Sequence, residues 1–128
     1  MTGYKDNIES LTEENEFFRQ VLFTGKYCQL VVMSLKPGED IGLEVHDTVD
    51  QFFRFEEGQG RVIMNGEEHS VGDGDAVIVP AGTEHNIINT GEEELKLYTI
   101  YSPPNHPDGT VHKTREEAME AEHAEHHE

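Results

Sequence analysis

Four side chains in this sequence have the types and spacing to hold a metal ion: Glu44, His46, Gln51 and His85. Glu44 and His46 stand two apart in a strand-like stretch, so they project from one face. If Gln51 opens the next strand of an antiparallel pair, it lies beside them across a turn at Asp47 to Asp50. Phe53 and Phe55 then share its face and line the same interior as a substrate pocket. His85 follows the turn Pro80-Ala81-Gly82-Thr83, from which its ring can enter that interior near the mouth. One carboxylate, one amide oxygen and two imidazoles form a mixed nitrogen and oxygen set. Such a set suits one divalent zinc, iron, manganese, nickel or cobalt ion. The plainer reading makes the two histidines polar liners of a water-filled pocket and Glu44 a solvated strand residue. Its shared parity with His46 argues against the latter.

Other reactive side chains have simpler roles. Asp47 and Asp50 fit turn chemistry. Arg54 and Arg61 are rare bases that could meet a substrate anion, but outward salt bridges are the expected outcome. Asn89 reads as a turn or backbone-bonding residue. Cys28, the single cysteine, excludes an intrachain disulfide and is expected to pack in a strand as a small hydrophobe. Tyr98 and Tyr101 fall on opposite faces of the last strand. His106 and His112 flank a Pro-Asp-Gly loop that could cover one end of the fold or reach a partner subunit. The tail carries His123, His126 and His127, and positions 123 and 127 fall on one helical face. This reads as a solvated acidic helix with weak metal affinity.

The elements that must position these groups are short strands. From Val21 to Ser102, strand-like runs alternate with Gly, Asn, Asp and Pro. The runs are Val21–Phe23, Tyr27–Leu35, Ile41–His46, Gln51–Phe55, Arg61–Met64, Glu67–Val71, Ala76–Val79, His85–Asn89 and Leu95–Tyr101. Asn65-Gly66 predicts a type I′ hairpin turn. The spacing implies an all-β sandwich or small barrel. Residues 1–20 form a polar extension, in which Ser10-Leu11-Thr12-Glu13 suggests a capping box and a helical turn around Glu13 to Phe17. Residues 103–128 form a loop and an acidic C-terminal helix, with Thr114 and Glu117 as a second capping box.

Length and charge set the remaining bounds. The 128 residues fit one domain. The formal charge is −18, and the two bases and six glutamates from Lys113 onward leave the rest near −14. Such a chain repels nucleic acid and anionic membranes. No helix-turn-helix pattern is present, and no basic segment precedes an apolar run at the start. The expectation is a cytoplasmic protein with a small-molecule ligand and no nucleic-acid or membrane partner.

Two stretches resemble the motifs of the cupin family. The first motif reads Gly, five residues, His-x-His, three or four residues, Glu, six residues, Gly. Gly38, Glu44, His46, Gln51 and Gly58 occupy those positions. The second reads Gly, five residues, Pro-x-Gly, two residues, His, three residues, Asn. Gly74, Pro80, Gly82, His85 and Asn89 match it without a gap, and fifteen residues separate the motifs. The resemblance implies a cupin jelly-roll β-barrel that binds one metal and pairs as a homodimer. Val21 to Phe23 and the C-terminal loop are the surfaces suited to that pairing.

Two departures modify this expectation. Glu44 replaces the first histidine, and Gln51 replaces the glutamate. One carboxylate has moved, and Glu44, His46 and His85 resemble a two-histidine, one-carboxylate triad. Gln51 then serves as a weak fourth ligand or as a hydrogen-bond partner of one. Glutamine at that position also occurs in cupins that process unsaturated uronic sugars. The implied chemistry is sugar or uronate isomerisation, with Glu44, if not fully engaged, or a bound water as the catalytic proton carrier. A non-catalytic ligand or metal binding module and an iron-dependent dioxygenase are the alternatives.

Overall fold

The computed structural model describes residues 2–126. In chain order the elements are α1 (Ile8–Glu14), β1 (Arg19–Thr24), β2 (Gln29–Leu35), β3 (Asp50–Glu57), β4 (Gly60–Met64), β5 (Glu67–Val71), β6 (Ala76–Val79), β7 (His85–Asn89), β8 (Leu95–Ser102), β9 (Val111–His112) and α2 (Arg115–His126). The strands form two antiparallel sheets. Six strands run in the order β6-β3-β8-β2-β1-β9, and three in the order β5-β4-β7. No helix among the described residues is long and apolar enough to cross a membrane.

Period-two alternation decides which face each strand buries. On β3, Gln51, Phe53 and Phe55 are buried, while Phe52, Arg54 and Glu56 stand on the other face and stay half-exposed. On β7, His85, Ile87 and Asn89 turn inward. One apolar cluster joins both sheets, taking Val31, Met33, Phe53, Phe55 and Leu97 from the larger and Val62 and Ile87 from the smaller. Burying a side chain such as Phe53 contributes about 1.5–3 kcal/mol. The helix α1 lies against β2, β3 and β8.

Turn chemistry fixes the register. Asn65 (φ 49°) and Gly66 (φ 85°) link β4 to β5 as the hairpin expectation requires. The motif glycines Gly38, Gly58, Gly74 and Gly82 all have positive φ, which is why the pattern demands glycine there.

Three local expectations are corrected. The run Ile41–His46 is not a strand and touches β7 only through single bridges at Asp40–Ile88 and Glu44–His85. Its apolar residues Leu43 (64% exposed) and Val45 (46%) point to solvent, so no apolar face drives a longer ladder. Cys28 is exposed, because the bond from Gly25 N to Cys28 O (2.8 Å) closes a turn before β2 begins. The first helix starts at Ile8, where the Asn7 side chain accepts from Ser10 N. Ser10 to Glu13 therefore lie within the helix, and Asn15 ends it.

The C-terminal segment returns to the large sheet. β9 pairs with Arg19 and Gln20 of β1, so the start of β1 is no free edge. Thr114 Oγ1 accepts from Glu117 N (3.1 Å), and Glu117 Oε2 accepts from Lys113 N (2.6 Å), which begins α2. Arg115 then ties α2 to Asp40 at 2.7 Å. His127 and the side chain of His126 lie outside the described residues.

Candidate metal and ligand site

Each candidate donor reaches the interior by a different route. His85 opens β7 after the turn at Pro80–Thr83, where Gly82 (φ 85°) donates to His46 O at 2.9 Å. Glu44 and His85 exchange both backbone bonds at 2.9 Å, which sets the two side by side. Gln51 comes from the other sheet, between Val79 on β6 and Tyr101 on β8. It therefore does not pair with the Glu44–His46 segment across a hairpin.

The side chains converge unequally. His46 Nε2 lies 3.3 Å from Glu44 Oε2. The His46 and His85 ring centroids are 5.6 Å apart, and the Tyr101 ring lies 6.1 Å from His46. Among the described residues, no three His, Cys, Asp or Glu side chains form a ligand cluster. The fit to a cation lies in two individual atoms. His85 is 1% exposed and Gln51 2%, yet His85 Nε2 and Gln51 Oε1 are buried without a hydrogen-bond partner.

The neighbours of those atoms explain their orientation. Thr83 O stands 3.0 Å from His85 Nδ1 and can only accept, so Nδ1 carries a proton. In the neutral ring Nε2 then presents its lone pair inward, which is the form a metal takes. Gln51 Nε2 donates to Thr99 Oγ1 at 3.0 Å, leaving Oε1 as the buried, unpaired acceptor of that amide. The donor chemistry thus suits a divalent ion. His46 and Glu44 currently satisfy each other.

A cavity of about 370 Å³ opens beside Glu44 and His46; His85 and Gln51 do not line it. Leu43, Glu44, Val45 and His46 line one side, while Asn105, His106 and Glu122 close the other. Phe53 and Phe55 are fully buried and do not line it, although the Phe53 ring lies 6.3 Å from that of His85. A larger cavity of about 650 Å³ lies among loops carrying Glu57, Asp73, Glu92 and Glu93, and none of the candidate donors reaches it.

His106 and Tyr101 form a pair that sequence reasoning did not assemble. His106 Nε2 stands 3.2 Å from the Tyr101 hydroxyl, and the rings meet edge-on at 5.1 Å. Fully buried Gln29 anchors the loop, accepting from Asn105 N and His106 N and donating to His106 O. Burial pushes the His106 pKa down to about 3, helped by the positive charge of Arg19 and by the neighbouring His112 and His46. Burial also raises the Tyr101 pKa, which Arg19 opposes. Both groups are therefore neutral near pH 7. Only the opposite parity of Tyr98 and Tyr101 was legible beforehand.

The remaining polar expectations fall into place away from the cavity. Arg54 pairs with Glu56 at 3.0 Å and Arg61 with Glu68 at 3.6 Å. Asn89 donates to Leu35 O and Glu93 O and accepts from Gly91 N. Asp50 Oδ1 accepts from Ala81 N.

Comparison with known proteins agrees with the motif register. Residues 31–101 match a family model described as Cupin domain. The chain is 54% identical over 122 residues to YrkC, an uncharacterized protein of Bacillus subtilis, covering 91% of this chain. It spans 66% of YrkC, a little under two thirds of that relative's length. The crystal structure of BH2720 from Bacillus halodurans is 50% identical with a TM-score of 0.90, covering 91% of this chain and 93% of that one. KdgF from Halomonas sp. shares the fold with a TM-score of 0.65 at 22% identity, over 68% of this chain and 78% of its own.

Proposed function

The chain belongs to the cupin domain family, and from that premise we propose that it binds one divalent metal and acts on a small oxygenated molecule, with sugar- or uronate-isomerase-like chemistry. The observation that carries this reading is the orphaned His85 Nε2, aligned by Thr83 and buried in a family-register position. Burying an imidazole nitrogen without a partner is costly unless something accepts its lone pair. His85, His46 and Glu44 would hold the ion, with Gln51 as a weak fourth ligand or a hydrogen-bond partner. A bound metal supplies Lewis-acid polarisation of a ligand carbonyl or hydroxyl.

The chain's own residues do the rest. The cavity falls in the size range of small-ligand sites, roughly 300–1,000 Å³. Neutral His106, held against Tyr101, lines it without adding charge. Glu44 stands at the cavity wall, where its carboxylate can carry a proton when it is not fully engaged. A non-catalytic binding module is favoured instead by the Glu44–His46 contact, which occupies two of the four donors. An iron-dependent dioxygenase needs the same ligands and iron specifically.

Elemental analysis of the full chain, beside a His46→Ala/His85→Ala double variant, tests the proposal. The tail histidines are present in both, so only the difference counts. Near-stoichiometric metal lost from the double variant is the expected result, and its identity selects isomerase or oxygenase assays. Equal metal in both proteins, or none after reconstitution, would leave the binding-module reading.

A further inference from the structure

We propose that Arg19 is the anchor for a carboxylate on the ligand, and that the C-terminal helix holds Glu122 in the ligand's place. The inference rests on the small oxygenated molecule proposed above and names its class: a sugar acid or similar organic acid.

Arg19 lies on the inner face of β1, opposite Met33 and His112, and is 1% exposed. A guanidinium stays charged and presents five donors, so burying it calls for well-placed acceptors. Those it has are few. Glu122 Oε1 lies 3.5 Å from its Nη1, longer than the 2.7–2.9 Å typical of charge-assisted bonds. His112 Nδ1 stands at 3.3 Å from the same nitrogen and must be the acceptor, since arginine only donates. Arg19 Nε is buried with no partner at all. The fork that could grip a carboxylate through two parallel bonds therefore meets Glu122 through one long contact, at a nitrogen shared with His112.

Glu122 connects this cation to the cavity. It lines the cavity wall as well as touching the guanidinium, and 27% of its side chain remains exposed. Exchanging its carboxylate for one on a ligand would keep Arg19 paired while releasing that end of α2. Among the described residues lining the cavity there is no lysine or arginine, and Arg19 is tied to it through Glu122. Its charge already acts on the His106–Tyr101 pair, disfavouring protonation of His106 and favouring ionisation of Tyr101. The net charge of −18 repels an anion at long range. Salt screens exposed charges beyond about 8 Å, whereas a buried cation is screened much less.

The alternative is that Glu122 is a counter-ion that only pins α2 to β1. Calorimetric titration of the full-length chain with D-galacturonate, and with D-galactose as its uncharged counterpart, separates the two. Metal content is measured on every sample. The expected result is binding of galacturonate about tenfold or more tighter than galactose. Glu122→Gln removes the competing carboxylate and should tighten galacturonate binding several-fold, because the free fork no longer has to be vacated. Arg19→Gln should abolish the preference while leaving metal content unchanged.

Galacturonate bound no tighter than galactose, or unchanged or weakened in Glu122→Gln, would overturn the proposal. If Arg19→Gln does not fold, Glu122→Gln decides alone, since it keeps the side-chain volume at a half-buried position. A wild-type chain that takes up no metal would overturn the metal reading only. Galacturonate titrated into that protein still decides the role of Arg19.

Discussion

Glu44 and His85 are joined through their backbones, each N–H donating to the other's carbonyl at 2.9 Å. This bridge belongs to no longer ladder, and it places two candidate donors in adjacent chain segments without using either side chain. Side-chain substitutions at Glu44 therefore test chemistry more than folding. Glu44→Gln is expected to change stability by no more than about 0.5 kcal/mol. It should weaken metal affinity at least about tenfold, by loss of the only carboxylate in the donor set. Competition against a chelator measures the affinity. An unchanged value would remove Glu44 from the ligands and favour Gln51 in its place.

Acid should destabilise the protein through His106. Its pKa falls from 6.5 to about 3 on folding, because burial and neighbouring positive charges oppose its protonation. Below pH 6.5 the unfolded chain binds the proton that the folded chain refuses, so stability falls as pH drops from about 6.5 towards 3. The full effect is on the order of a few kcal/mol. His106→Gln keeps a polar group beside Tyr101 and should flatten the stability curve in that window. Denaturant melts at several pH values read this directly, and parallel curves for variant and wild type would contradict it.

How much of this was legible beforehand differs by element. Local signals sufficed where one short segment decides its own geometry. The Asn65-Gly66 turn, the strand His85–Asn89 and the backbone role of Asn89 are of this kind. The Glu44–His46 segment was misread because alternation alone cannot distinguish a strand from a stretch held by two bridges. Leu43 and Val45 carry strand-forming side chains yet face solvent. The pairing of Gln51 with Val79 and Tyr101 is non-local, so spacing offered no guide to its sheet. His106 and Glu122 share a cavity, and Glu122 reaches Arg19, only because the C-terminal segment folds back to β1. Nothing in their spacing along the chain encodes that return.

Thr99 should matter through Gln51. Its hydroxyl accepts from Gln51 Nε2 at 3.0 Å within the core, and both residues are nearly or fully inaccessible to solvent. Thr99→Val keeps the shape and removes the acceptor, leaving a buried amide donor unpaired. The expected loss of stability is about 1–3 kcal/mol. Freed to rotate, the amide would no longer present Oε1, so metal affinity should fall as well. Stability lost with metal affinity unchanged would assign Gln51 a structural role alone.

The outer face of the large sheet carries a prediction about assembly. Register places Ile78, Phe52, Ile100, Leu30 and Phe23 in one row across five strands, from β6 to β1. Tyr4 covers the Phe23 end, with ring centroids 5.4 Å apart, while Ile78 at the β6 edge is 64% exposed. A contiguous apolar row leading to a sheet edge is the kind of surface that self-association buries. We therefore expect a homodimer that uses this face rather than the start of β1, where β9 already pairs. Ile78→Glu sets a carboxylate at the exposed end of the row and, by two-fold symmetry, doubles its effect in an isologous contact. It should shift the chain to monomer in sedimentation velocity without lowering the melting temperature, since an exposed side chain contributes little to the monomer's own core. A wild-type monomer would dismiss the dimer, and a variant that stays dimeric would move the interface elsewhere on the molecule.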